Sequence, residues 1–280
     1  MRISSRARRV LATAAAAAII VSGSLFGASA ASAAPPLPAK MAALGDSISQ
    51  AAMSCSSLLS CPANSWSTGS TASVNSQFTR LRAAGATTLV AYNNAVSGAA
   101  SGALVGQAQK AVAQGAQYVT IEIGANDACT RTVAAMTPTA TFKANVAAAL
   151  TTLATSTAAP EIFVASIPSL TRLYEINKTS ISARLAWGLL QTCQSMLANP
   201  SSTKAVDVQR RAAVQQRVNE YNQALAEACA VTVKCRFDGG ALANYAFSKA
   251  DISTRDYFHP SLAGQATIAN VTWPRTQWVS

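Results

Sequence analysis

The sequence predicts an α/β chain built on a parallel sheet with helices on both faces. Between residues 41 and 273, short apolar runs of strand length alternate with amphipathic stretches of helical period. Most of the runs end at a chain breaker: Gly45, Asn93, Gly124 or Pro168. No internal repeat, linker or shift in composition divides this region.

The elements follow in order. Residues 41–44 read as a buried strand, and 74–84 as a helix with Val74, Phe78 and Leu81 on one face. Residues 87–92 are β-branched and apolar. A helix over 101–114 turns Leu104, Val105, Ala108 and Val112 inward. Residues 118–123 form the most apolar strand. A helix over 138–154 carries Phe142, Val146, Leu150 and Leu153 on one stripe, and 161–167 is the next strand. A long amphipathic helix spans 204–230, a strand lies near 231–237, and a last helix spans 261–273. In open parallel sheets, sites form at the carboxyl ends of the strands.

The first residues are a different kind of sequence. Residues 1–9 hold four arginines and no acid, and 10–22 are an apolar run. Small-x-small triplets at 28–30 and 31–33 follow. This is the pattern of a cleaved export signal over residues 1–34, sent by the general secretory route although Arg8-Arg9 resembles a twin-arginine pair. The run is short for a bilayer span. The rest, 35–280, reads as one secreted domain, expected to be a monomer. Removing Arg2, Arg6, Arg8 and Arg9 lowers the formal charge from +11 to +7. The remaining cations are scattered, which excludes a nucleic-acid patch but leaves a basic surface open to transient contact with lipid.

Six cysteines remain in a chain bound for an oxidising compartment, which argues for three disulfides. Cys55 and Cys61, and Cys229 and Cys235, are close in sequence and flank loops, favouring Cys55–Cys61 and Cys229–Cys235 with Cys129–Cys193 as the long bridge. Six cysteines allow fifteen connectivities, so the others stay open. No CxxC occurs, so neither a metal site nor a cofactor is expected.

Four polar blocks carry chemistry. Gly45-Asp46-Ser47 follows the first strand, where a serine hydroxyl projects at the sheet edge near the start of a helix. A hydroxyl is a weak nucleophile and needs a base. His259 is the only histidine in the chain, and Asp256 stands three residues before it. In a turn, that spacing lets the carboxylate orient Nδ1 while Nε2 faces a nucleophile. Asn126, after the 118–123 strand, supplies an amide donor without charge. Gly98 lets a backbone N–H approach a ligand. Read singly, these are an N-cap serine, a histidine before proline, an Asn-Asp turn and a loop glycine.

Together, in this order, the blocks GDS, SG, GAND and DYFH resemble the SGNH (GDSL-type) hydrolases over the whole of residues 41–273. The stretches AVSGA at 95–99, IGANDAC at 123–129 and DYFHPSLAGQ at 256–265 are similar to the phospholipase-B-like branch and its secreted bacterial relatives. The resemblance implies a flavodoxin-like three-layer α/β/α sandwich and metal-independent ester hydrolysis. Ser47 would be the nucleophile, His259 the base and Asp256 its orienting acid. The N–H groups of Ser47 and Gly98 and the Asn126 side chain would form the oxyanion hole. Asp46 and Asp127 are expected to be structural hydrogen-bond partners. Loop 54–73, with Trp66, either shapes a substrate pocket or is a pinned surface loop. The expected substrate is a lipid or phospholipid ester. An acylated polysaccharide or small ester is the alternative, and a catalytically silent binding protein is the reading from another class.

Overall fold

The structure is a computed structural model and describes residues 34–279. The expected export signal therefore lies, apart from Ala34, outside the described residues. The chain runs through β1 (Lys40–Gly45), α1 (Gln77–Ala83), β2 (Val90–Asn93), α2 (Leu104–Ala113), β3 (Tyr118–Glu122), α3 (Ala125–Ala128) and α4 (Thr139–Ala154). It continues through β4 (Glu161–Val164), α5 (Leu170–Asn177), α6 (Ile181–Leu189), α7 (Gln194–Leu197), α8 (Ala205–Ala230), β5 (Cys235–Phe237) and α9 (Leu262–Thr272).

The five strands form one sheet in the order β2-β1-β3-β4-β5, and every pairing is parallel. Alternation along each strand sorts side chains to two faces. Ala42, Leu44, Val119, Ile121, Ile162 and Val164 pack with α2, α4 and α8. Met41, Tyr118 and Phe163 pack on the other face with Leu81 of α1 and Ile268 of α9. The result is the three-layer sandwich. No helix among the described residues is long and apolar enough to cross a membrane.

After β1 the chain goes to β2 on one side, then crosses to β3 on the other. The switch point lies between the carboxyl ends of β1 and β3, where open sheets of this kind bind ligands. Gly45 makes that end tight. Its φ is +137°, and a Cβ there would stand 2.0 Å from the Glu122 carbonyl oxygen.

Several boundaries differ from the sequence reading, each for a local reason. The first helix starts at Gln77 rather than 74, because the Ser76 hydroxyl accepts from Thr79 N at 3.2 Å and caps it. The strand expected over 87–92 is Val90–Asn93, and the one over 161–167 ends at Val164. The strand near 231–237 begins only at Cys235, since α8 runs on to Ala230. No helix follows Ser47: Ala51 and Met53 have φ +50° and +61°, so the backbone stops winding after a turn. Residues 170–197 hold three helices that the sequence reading did not place.

The sulfur pairs Cys55–Cys61, Cys129–Cys193 and Cys229–Cys235 are bridged. Cys229–Cys235 ties the end of α8 to the start of β5. Cys129–Cys193 joins the residue after α3 to the residue before α7 across 64 positions.

Candidate active site

Ser47 stands in the turn after β1, at the switch point. Two buried glutamines hold that turn from opposite sides. Gln107 of α2 accepts from Gly45 N at 2.7 Å and donates to Gly45 O at 2.9 Å. Gln265 of α9 donates to Ile48 O at 2.9 Å and accepts from Trp66 N, also at 2.9 Å. Sequence reasoning missed both. The signal was present: each is a polar side chain at a core-facing position of a helix, beside Leu104 and Ala108 or Ile268 and Ala269.

His259 reaches the same point from the other end of the chain. Its Nε2 lies 2.8 Å from the Ser47 hydroxyl oxygen, 212 residues away in sequence. Its Nδ1 meets Asp256 Oδ2. The loop carrying the pair is closed on itself. Ile252 and Pro260 form an antiparallel bridge, and Ser253 N donates to His259 O at 2.8 Å. Asp256 Oδ1 accepts from the backbone N–H groups of Phe258 at 3.0 Å and His259 at 3.1 Å. The Ser253 hydroxyl donates to Met53 O at 2.8 Å, fastening this loop to the segment after Ser47.

The electrostatics separate two acids beside Ser47. Burial works against charge on Asp256, but hydrogen bonds from His259, its imidazole charge and the two backbone N–H groups outweigh it. Its carboxyl is held below the ordinary carboxylate range. Asp46 goes the other way. It is fully buried, and burial pushes its carboxyl up to about 7, against the Ile48 N–H and His259, with Asp127 adding to the rise. Its neighbour Glu122 is also fully buried, and neither of its carboxyl oxygens has a partner among the described residues. Burial first, then Asp46, raises it well above the usual range.

Asn126 sits in the first turn after β3, in α3. Gly124 starts that turn at φ +124°, where a Cβ would stand 2.4 Å from Ile167 Cδ1. The Asn126 amide donates to Asp46 Oδ2 at 3.3 Å and Ala99 O at 3.0 Å. Asp127 accepts from Ser101 N at 2.8 Å and the Ser101 hydroxyl at 2.7 Å, tying α3 to the segment after Gly98. Gly98 has φ +83°. The N–H groups of Ser47 and Gly98 have no hydrogen-bond partner among the described residues.

Ser47, Gly98, Asn126, Asp256 and His259 all line one open cleft of about 820 Å³. Leu58, Leu59 and Leu190 form part of its wall. Within loop 54–73, then, residues 58–60 and Pro62 border the cleft, while Trp66 is fully buried in the core on the α1 and α9 face. Trp66 therefore neither shapes the pocket nor lies at the surface; its ring is buried although its Nε1–H has no hydrogen-bond partner among the described residues. A second, small and almost wholly apolar pocket of about 50 Å³ shares Phe258 and His259 with the cleft and is lined by Ile48, Ile167, Leu173 and Phe247. A larger groove of about 920 Å³ between α5 and α8 holds none of these site residues.

A serine hydroxyl, an imidazole held by a carboxylate and unpaired N–H groups lie together on one cleft, an arrangement that could support acyl transfer. The sequence model of the GDSL-like Lipase/Acylhydrolase family matches residues 43–267. No curated protein matches the chain. Among solved structures, the psychrotrophic esterase EstA from Pseudoalteromonas sp. is similar at 15% identity and TM-score 0.49, over 85% of this chain and 96% of that one. The extracellular lipase from Streptomyces rimosus is similar at 18% identity and TM-score 0.45, over 83% and 99%. Phospholipase A1 from Streptomyces albidoflavus is similar at 17% identity and TM-score 0.45, over 84% and 99%.

Proposed function

Because the chain belongs to the GDSL-like lipase/acylhydrolase family and is a carboxylic ester hydrolase, we propose that it works through an acyl-enzyme on Ser47 with His259 as base. The 2.8 Å approach of His259 Nε2 to the Ser47 hydroxyl carries this reading.

In the cycle, Nε2 takes the hydroxyl proton as Ser47 Oγ attacks the ester carbonyl. Negative charge on the carbonyl oxygen is met by the N–H groups of Ser47 and Gly98 and by the Asn126 amide. Asn126 gives up its contact with Ala99 O or Asp46 to do so. Asp256 holds Nδ1–H and so keeps Nε2 free for the nucleophile. The tetrahedral species collapses, the C–O bond to the alcohol breaks, and the imidazolium returns the proton to the leaving oxygen. Water, deprotonated by Nε2, then attacks the acyl-enzyme and frees the acid and Ser47.

The proposed substrate is a lipid or phospholipid ester. The leucines of the cleft wall support it, since they suit an acyl chain better than a sugar. The protein acts as a secreted, monomeric domain over residues 35–280, in transient contact with lipid. The three disulfides fit an oxidising compartment.

The test is turnover of a short p-nitrophenyl ester by Ser47→Ala and His259→Ala. Each is expected to lose several orders of magnitude. Near-normal turnover by either variant refutes the assignment. Hydrolysis of micellar phospholipid in preference to acetylated xylan supports the lipid reading, and the reverse preference replaces it.

A further inference from the structure

One group of exposed apolar side chains lies on α6 and at the rim of the cleft. α6 has two apolar faces. One carries Ala183 and Trp187, fully buried. The other carries Ile181, Leu185 and Leu189, which are 68%, 68% and 85% exposed. The spacing of i, i+4 and i+8 sets these three on one outward stripe. A solvated helix normally puts charge there. Leu190, which follows Leu189 at the end of α6 and is 53% exposed, lines the cleft together with Leu58 and Leu59, 63% and 75% exposed. Of the fifteen large apolar side chains exposed among the described residues, three line the cleft and three more share one face of α6, the helix that ends at Leu190. Such grouping marks an interaction surface, whereas singly scattered residues do not.

Charge narrows the partner. Residues 47–121, 128–160 and 176–206 contain no aspartate or glutamate. These segments supply Leu58 and Leu59, the Cys129 side of the cleft, and α6 with Leu190. Their own charged residues are all cations, among them Arg131 and Arg184, while Lys178 is paired with Glu175 just outside them. An apolar stripe flanked by cations, with no acid of its own, matches an anionic lipid surface, where aliphatic side chains enter the acyl boundary and cations meet headgroups. Disulfides at both sides, Cys55–Cys61 and Cys129–Cys193, hold the two rims in place.

We propose that the outward face of α6, with Leu58, Leu59 and Leu190, docks the cleft onto an anionic lipid surface and so presents lipid esters to Ser47. The purpose of this surface rests on the ester-hydrolase reading of Ser47, but its geometry does not.

The experiment uses the full chain with Ser47→Ala, so that vesicles survive. It is sedimented with phosphatidylcholine vesicles with or without phosphatidylglycerol, at low and high salt. Ile181→Gln, Leu185→Gln and Leu189→Gln are then added together, and Leu185→Gln alone serves as the milder variant. Glutamine keeps the helix. The parent is expected to bind vesicles containing phosphatidylglycerol, more weakly in salt or without the anionic lipid. The triple variant is expected to lose at least about tenfold in partitioning, with Leu185→Gln in between. With Ser47 restored, the triple variant should keep soluble-ester turnover while its rate on those vesicles falls in parallel. Failure of the parent to bind, or unchanged binding by both variants, overturns the proposal. So does a parent that elutes as a dimer and a triple variant that elutes as a monomer with vesicle binding intact, which makes the stripe a self-association face. Loss of activity on the soluble ester by the restored parent would instead defeat the catalytic reading while leaving vesicle binding to be judged by itself.

Discussion

Trp187 and Tyr257 are joined by a hydrogen bond from the indole Nε1 to the Tyr257 carbonyl at 3.1 Å. Tyr257 has φ +56°, an unusual conformation for an aromatic residue, and lies between Asp256 and Phe258 in the loop that aims His259. The inner face of α6 therefore braces the backbone that presents His259.

Trp187→Phe keeps most of the ring and removes the donor. It should lower the melting temperature, with a net loss of about 1 kcal/mol. It should also cut kcat on a soluble ester several-fold while leaving KM nearly unchanged. Steady-state kinetics with thermal denaturation checks both. An unchanged kcat would mean the loop holds itself through Ser253 and Asp256 alone.

Asp256→Asn should cost about three to four orders of magnitude in kcat, because the amide no longer secures the tautomer that leaves Nε2 free. Kinetics beside near-ultraviolet circular dichroism separates this from misfolding. A loss under tenfold would assign the orientation of His259 to its backbone contacts instead.

Asp46 gives a pH signature of known sign. Its carboxyl sits at about 7 in the fold, against 3.8 for an ordinary aspartate. Between those values the folded state holds a proton that the unfolded chain has released. On this account stability rises as pH falls from 8 towards 4, by about 1.4 kcal/mol per unit of displacement. Glu122, also raised, acts in the same direction. Asp256, lowered, acts oppositely and only as pH falls towards its depressed value. Melting temperatures at pH 5 and pH 8 should differ less in Asp46→Asn than in the parent. An unchanged difference refutes the assignment to Asp46.

The three disulfides should contribute unequally. Loop-closure entropy for the 64-residue Cys129–Cys193 span is worth about 4 kcal/mol in the unfolded chain, against about 2 kcal/mol for each bridge of separation 6. Paired Cys→Ser variants, followed by chemical denaturation, should rank the long bridge first. The Cys129/Cys193 pair should also lose activity, since both residues line the cleft.

The strands were legible as short apolar runs, with Gly45 and Gly124 closing β1 and β3, while the bounds of β2, β4 and β5 were less plain. β1 and β3 were the plainest, being buried on both faces. Residues 170–197 were not legible. α5 and α7 are short, and α6 carries apolar side chains on opposite faces, which blurs the helical period. Ser169 and Ser180 did mark the starts of α5 and α6, each accepting from an N–H three residues on. At the site, the motif residues were visible as types at fixed positions. Gln107, Gln265 and Glu122 were not, because a polar residue facing a core looks the same in sequence as one on a poorly amphipathic face. The winding after Ser47 was misread, because left-handed alanine and methionine have no sequence signal.

The 212-residue separation between Ser47 and His259 has a temporal consequence. During synthesis the nucleophile is made early and its base near the end. A partly made chain holds the hydroxyl but has nothing to deprotonate it. Local structure alone cannot assemble the pair, because the two residues meet only through long-range packing. On the proposed mechanism, ester cleavage therefore begins only when the segment carrying His259 has joined the sheet.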